Sequence, residues 1–167
     1  MNNELTFEPL TSAVDSRIDE MSALASAIIK DYYDPLLGAE QNDYMIEMFQ
    51  SPTAIRSQLS HGYRYRFIRK DGMNIGFLAM IPHEDAMYLS KLYLHKDSRG
   101  KGYGRTILAY IKEQALSEGF HAIELNVNKE NETKYIYEKL GFVQVRAEKN
   151  DIGGGFYMDD YVYRLEF

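Results

Sequence analysis

The stretch HKDSRGKGYGR, residues 95–105, sets three glycines among four Lys and Arg side chains, in a chain of 167 residues whose formal net charge is −6. At the start of a helix, residues of these types can bind an anion. The first backbone N–H groups of a helix lack intrahelical partners, glycine lets a ligand approach them, and nearby cations add charge. Gly100, Gly102 and Gly104 supply bare backbone, and Arg99, Lys101 and Arg105 supply the charge. The same residues would equally make a tight turn on a solvated basic surface, and the turn alone does not separate the two readings. Spacing argues against two other phosphate loops, excluding the first and weakening the second. A Walker loop needs Lys and then Ser or Thr after its last glycine, whereas Tyr103 follows Gly102. A dinucleotide fingerprint needs a third glycine where Arg105 stands, and a side chain there would hold the helix off its strand.

A second set of residues concerns proton transfer and amine recognition. Glu124 shares a strand face with Asn126 by two-residue alternation, so it is a candidate base, direct or through water, or else a solvated strand carboxylate. Asp31, Tyr32, Tyr33 and Asp34, between the first helices, combine carboxylates with aromatic faces, as do Asp159, Asp160 and Tyr161 in the final hairpin. Such a set suits a cationic amine, and also an ordinary helix end and edge strand. His61, His95 and His121 show no metal-ligand spacing, and HEDAM is not H-E-x-x-H, so no metal is expected. The absence of cysteine excludes disulfides, thiolate catalysis and cysteine-ligated metals.

The elements that must position these residues follow from composition and periodicity. With 45% hydrophobic and 26% charged residues, 14 Tyr and 8 Phe, the composition is globular. The length fits one domain, residues 1–167. The acidic balance argues against nucleic acid as a partner. The N-terminus MNNELTFEPL lacks a basic region followed by an apolar run, and no stretch approaches the ~20 apolar residues of a membrane helix. A cytoplasmic protein without membrane partners is expected.

ELTFEPL reads as a strand, and residues 14–32 as an amphipathic helix through Val14, Ile18, Met21, Ala25, Ile28 and Tyr32. Pro35 and Gly38 should break it, with a shorter helix around Tyr44–Phe49 and a third from Thr53 to Leu59. YRYRFIRK, NIGFLAMI and AMYLSKLYLH read as three antiparallel strands. A helix over 102–119, a strand HAIELNV, a helix over 131–140 and strands FVQVRAEK and FYMDDYVYRLEF, joined by DIGGG, complete the order. The expected fold class is mixed α/β: a mostly antiparallel, twisted sheet of about seven strands flanked by helices.

Arg99-x-x-Gly102-x-Gly104 after KLYLHKDS, with Tyr137-Glu-Lys-Leu-Gly-Phe142 further on, resembles the GCN5-related N-acetyltransferase superfamily, and the resemblance covers nearly the whole chain in element order. It implies acetyl-CoA as donor, with the pyrophosphate on backbone amides of the glycine loop and the pantetheine arm along a splayed fourth strand. Carried onto this chain, the donor contacts are Leu92, Tyr93 and Leu94, then Gly100, Lys101, Gly102, Tyr103, Gly104 and Arg105, with Arg99 shaping the loop. Asn131 is the nearest match to a family asparagine that touches pantetheine. Tyr137 is implied as the acid that protonates the departing sulfur. Some protein N-terminal acetyltransferases of the superfamily carry a catalytic Glu in the fifth strand where this chain has Asn126, and Asn cannot serve as a base.

The implied reaction sets its own demands. An alkylamine near pKa ~10.4 is about 3.4 units from neutral at pH 7, a deficit of roughly 4.6 kcal/mol, so a base or a neutral pocket is useful. On this reading Tyr137 and Glu124 are catalytic, and Tyr32, Tyr33 and Asp160 bind the acceptor, a primary amine of a small molecule or peptide. The protein would act as a monomer or homodimer. A non-catalytic acyl-CoA sensor on the same fold is the alternative, since fold does not fix function.

Overall fold

In the computed structural model, residues 4–167 are described; the N-terminal stretch read above as leaderless begins at residues 1–3, outside them. The strands are β1 (Thr6–Pro9), β2 (Arg64–Lys70), β3 (Met73–His83), β4 (Ala86–Leu94), β5 (Ala122–Asn128), β6 (Val143–Gly153) and β7 (Phe156–Glu166). The helices are α1 (Ile18–Leu37), α2 (Ala39–Gln50), α3 (Pro52–Ser60), α4 (Tyr103–Ser117) and α5 (Thr133–Lys139). The strands form one seven-stranded sheet in the order β1-β2-β3-β4-β5-β7-β6. β4 and β5 are parallel, while β1/β2, β2/β3, β5/β7 and β6/β7 are antiparallel. The mixed α/β class and the strand count match the expectation. Among the described residues, no helix is long and apolar enough to cross a membrane.

The chain divides into two compact units, one built from the chain up to Ile81 with Lys91–Tyr103, the other from Pro82–Ser90 with Gly104–Phe167. In the first, Ile18, Met21, Ala25, Ile28 and Ile29 form one stripe of α1. They are buried in a cluster with Ile55, Tyr65, Phe67, Phe77 and Ala79, the three-and-four spacing of a helix that turns one face to a sheet. In the second, Ile107, Ile111 and Ala115 of α4 and Ile123, Leu125 and Val127 of β5 are buried, the 3.6 and 2.0 periods of helix and strand.

Several boundaries differ from the sequence expectation, each for a local reason. α1 starts at Ile18 rather than residue 14 because the Asp15 carboxylate accepts from the Thr11 and Arg17 backbone N–H groups, both at 2.8 Å, and holds the preceding turn out of the helix. The helix runs through Pro35 and stops at Gly38, whose φ is 86°. Proline forfeits one hydrogen bond, and only two residues of helix remain beyond it, so its cost is small there. Consequently Asp31, Tyr32, Tyr33 and Asp34 lie within α1, not in a loop. α2 begins at Ala39, several residues before Tyr44. α5 is shorter than 131–140, and β6 runs through Asp151, Ile152 and Gly153, so the DIGGG turn narrows to its glycines.

Gly76, within β3, is a residue the periodicity passes over. An ideal Cβ there would lie 2.2 Å from the Tyr93 carbonyl oxygen and 2.7 Å from Leu94 Cδ2. Glycine in a strand marks such close backbone approach. Gly76→Ala must therefore push the Tyr93–Leu94 segment away. It is expected to lower the melting temperature by several degrees, as a destabilisation of about 1–3 kcal/mol would. An alanine variant with unchanged melting would contradict the contact.

Candidate active site

In the first unit, the end of β4 and the turn after it gather most residues assigned to the donor. Leu92, Tyr93 and Leu94 are half-buried at the end of β4. The strand closes with the His95 N–H donating to the Ile75 carbonyl at 2.8 Å. A 3-10 turn over Lys96–Ser98 leads to Arg99. The Arg99 Nε donates back to the Leu94 carbonyl at 3.1 Å, and its guanidinium lies 4.7 Å from the centre of the Tyr32 ring. Arg99 thus ties the loop to the strand. Tyr32 meets Tyr33 edge-on at 4.9 Å, and Tyr33 meets Tyr93 edge-on at 6.1 Å. The unit therefore brings Tyr32 and Tyr33, assigned to the acceptor, beside Tyr93 and Arg99, assigned to the donor.

Gly100 and Gly102 have φ of 72° and 79°, the left-handed region that residues with a Cβ rarely adopt, and nothing lies within 4 Å of where either Cβ would be. The space beside the backbone is open, as an anion cradle requires. Lys101 and Arg105 are exposed, and Tyr103 is buried at the start of α4. Gly104 is helical, and the nearest heavy atom to a Cβ there is Leu140 Cδ1 at 4.0 Å. The open backbone, the α4 N-terminus and the flanking cations fit a diphosphate.

Lys91 is a residue that the motif reading missed. It precedes the donor segment, is 6% exposed, and shares its N–H donors among four oxygens: the Phe49 carbonyl at 2.6 Å, Gln50 Oε1 at 2.8 Å, Gln58 Oε1 at 3.0 Å and the Tyr65 hydroxyl. It therefore joins β4 to the α2–α3 junction. With neutral partners only, burial pushes its pKa down to about 7. Its signal was present in AMYLSKLYL, where Lys91 falls in phase with buried Met87 and Leu89.

In the second unit, α5 carries Tyr137, half-buried with its ring edge-on to Phe142 at 5.5 Å. The helix is closed by Gly141 at φ 102°, with the Phe142 N–H donating to the Tyr137 carbonyl at 3.0 Å. It is tied to β7 by the Tyr163 hydroxyl, which donates to Glu138 Oε2 at 2.6 Å; burial raises that phenol to about 12. Asn131 is buried, and its Oδ1 accepts from the Thr133 N–H at 2.9 Å, which uses that oxygen to start α5.

Glu124 sits in a cationic setting. Arg164 Nη1 lies 2.6 Å from one carboxylate oxygen and Arg146 Nη2 3.4 Å from the other, and Arg164 also pairs with Asp85 at 3.0 Å. Two residues along β5, Asn126 accepts from the Tyr88 hydroxyl at 2.9 Å and donates to Asp160 Oδ2 at 3.3 Å. Asp160 is 3% exposed, and burial raises its pKa. No group of three or more metal-ligating side chains occurs among the described residues.

Residues 34–157 match the model of the family described as an acetyltransferase (GNAT) domain. The chain is 32% identical over 66 residues to the L-amino acid N-acyltransferase MnaT of Escherichia coli, a match covering 39% of this chain and 38% of that protein. It is 27% identical over 93 residues to the ribosomal protein bS18 alanine N-acetyltransferase of Haemophilus influenzae, covering 54% and 64%. The matches thus span less than two thirds of either relative. Among solved structures, the PaiA N-acetyltransferase of Thermoplasma acidophilum in complex with coenzyme A aligns with TM-score 0.77 and 18% identity, over 98% of this chain and 99% of that one. The spermidine N-acetyltransferase of Vibrio cholerae with CoA and spermine aligns with TM-score 0.67 and 19% identity, over 99% and 96%. At those identities the likeness is one of fold.

The Lys91 geometry makes a prediction about stability. Its folded pKa of about 7 lies below the ordinary 10.5. Between those values the unfolded chain binds a proton that the folded chain does not, so stability rises with pH through that window and is lowest below it. Thermal unfolding of the wild type should move upward from pH ~7 to ~9, and Lys91→Met should flatten that rise. An identical pH slope in the two proteins would contradict a depressed Lys91.

Proposed function

The chain belongs to the GNAT acetyltransferase family, whose model matches residues 34–157, and from that premise we propose that it transfers an acetyl group from acetyl-CoA to a primary amine of a small molecule or peptide. The observation that carries the proposal is the turn opening α4, where left-handed Gly100 and Gly102 leave the backbone bare beside Lys101 and Arg105. Helix-start N–H groups and flanking cations suit a diphosphate. Coenzyme A supplies the activated acyl thioester; Leu92, Tyr93 and Leu94 would line its arm, and Gly100–Arg105 would hold its diphosphate.

Tyr137 is the proposed acid toward the departing sulfur, and Phe142 and Gly141 fix the helix end that presents it. Asn131 is the proposed further donor contact, through its side-chain amide. Tyr32, Tyr33 and Asp160 are the proposed acceptor residues, with aromatic faces and a carboxylate for a cation. The sequence reading assigns the base to Glu124. The relatives named above act, by their names, on an L-amino acid, on a ribosomal protein alanine and on spermidine, which all offer amines. We place the reaction in the cytoplasm, carried out by a monomer or homodimer without a metal.

Calorimetry with acetyl-CoA should show binding that Gly102→Val weakens about tenfold or more, because a branched side chain cannot adopt the left-handed backbone without strain. A panel of amino acids, polyamines and short peptides, read by mass spectrometry, should yield a singly acetylated product. Tyr137→Phe should lower kcat about 10²-fold while leaving donor affinity near the wild-type value. Absence of acetyl-CoA binding at millimolar concentration would refute the proposal. Binding without turnover of any amine would favour a sensor.

A further inference from the structure

We infer that Asp160 takes the proton from the acceptor ammonium, in place of Glu124, and that Asn126 and Tyr88 position its carboxylate; this rests on the amine acetylation proposed above. The first observation is a largely buried carboxylate held by one oxygen. Asp160 is 3% exposed, and among the described residues its one hydrogen-bond partner is Asn126 Nδ2, on Oδ2. A carboxylate offers about four lone-pair sites, so Oδ1 keeps the capacity to accept from an ammonium. The Tyr88 hydroxyl, donating to Asn126 Oδ1, fixes the amide so that its Nδ2 must face Asp160.

The second observation is a pair of carboxylates driven apart. Asp160 stands opposite Glu148 on β6 and opposite Asn128 on β5. Like charges opposite one another across strands cost stability. Arg146 Nε bonds Glu148 at 2.8 Å and holds it below the ordinary carboxylate range, with Asn150 and Asn126 hydrogen bonds assisting. Asp160 moves the other way: burial raises it, the Asn126 hydrogen bond lowers it by less, the charges of Asp159 and Glu148 raise it further, and Lys129, paired with Asp159 at 3.0 Å, opposes the rise. Two neighbouring carboxylates with opposed shifts suit unlike roles toward a proton. Glu124 differs in geometry, because Arg164 and Arg146 lie against its two oxygens.

The chemistry balances as follows. The ammonium gives one proton to Asp160 Oδ1 and becomes a neutral amine, and Asp160 later returns that proton to water. The nitrogen lone pair forms the N–C bond at the thioester carbonyl, and the C–S bond breaks. The sulfur takes a proton from Tyr137, and the second proton leaving the nitrogen restores Tyr137. One amide, one thiol and one released proton result from one ammonium and one thioester.

The test compares wild type, Asp160→Asn, Asp160→Glu and Tyr88→Phe, using an amine that the panel shows to be acetylated. The readouts are kcat and KM from about pH 5 to 9, acetyl-CoA binding by calorimetry, and melting temperature. Asp160→Asn should lower kcat by about 10²-fold and abolish the acid limb of kcat/KM, while acetyl-CoA affinity stays within roughly twofold. Asp160→Glu should restore part of the rate, and Tyr88→Phe should lower kcat several-fold at unchanged KM. An Asn variant with wild-type kcat and acid limb overturns the inference and leaves acetylation standing. A wild type that neither binds acetyl-CoA nor modifies any amine overturns both. Should Asp160→Asn fail to fold, Tyr88→Phe decides: an unchanged rate and pH profile would refute the positioning chain.

Discussion

The carbonyl oxygen of Tyr93 lies 2.2 Å from where a side chain at residue 76 would begin, so within the first unit these two backbones come closer than any residue but glycine permits. The segment Leu92–Leu94 is held by that approach and by its flanks. On one side Lys91 is locked by Phe49, Gln50, Gln58 and Tyr65. On the other, Arg99 binds the Leu94 carbonyl and the His95 N–H binds Ile75. A strand end fixed at three points can present its remaining backbone groups without rearranging. Preorganised donors of this kind cost nothing at the moment of reaction.

Lys91 shows what that fixing costs. An ammonium stripped of water and surrounded by neutral oxygens loses more solvation than its hydrogen bonds return, which is why its proton is held weakly. An apolar residue in its place would leave Gln50 Oε1 without its donor, while the Phe49 carbonyl keeps Gln58 Nε2 and Gln58 Oε1 keeps the Tyr65 hydroxyl. The polar cluster is therefore worth more as a joint between β4 and the α2–α3 turn than as a contribution to stability.

Much of this was legible in the sequence, and the failures have physical causes. The succession of strands and helices along the chain and the glycine turn follow from local pattern, because alternation, helical spacing and left-handed glycines are properties of neighbouring residues. The placement of Asp31–Asp34 in a loop failed because Pro35 breaks a helix only where several residues of it remain, and α1 ends at Gly38. Gly76 and Lys91 matter through contacts with residues distant in the chain, and sequence offers only the hint of a glycine and a lysine in buried phase. Strand parity offers Glu124 as a base candidate or as a solvated strand carboxylate. Parity cannot show that Arg146 and Arg164 arrive from β6 and β7 to engage it.

The same two arginines explain why one sheet face can hold several carboxylates with different duties. Glu124 and Glu148 each have a guanidinium within reach, at 2.6 Å and 2.8 Å, so their charge is compensated and their lone pairs are directed. Asp160 receives an uncharged amide instead, and an amide can orient a carboxylate without neutralising it. Had a guanidinium stood where Asn126 stands, the carboxylate would be held firmly ionised, a poor proton acceptor. The asparagine in β5, itself unable to act as a base, therefore orients its neighbour on β7 while leaving that neighbour's charge uncompensated.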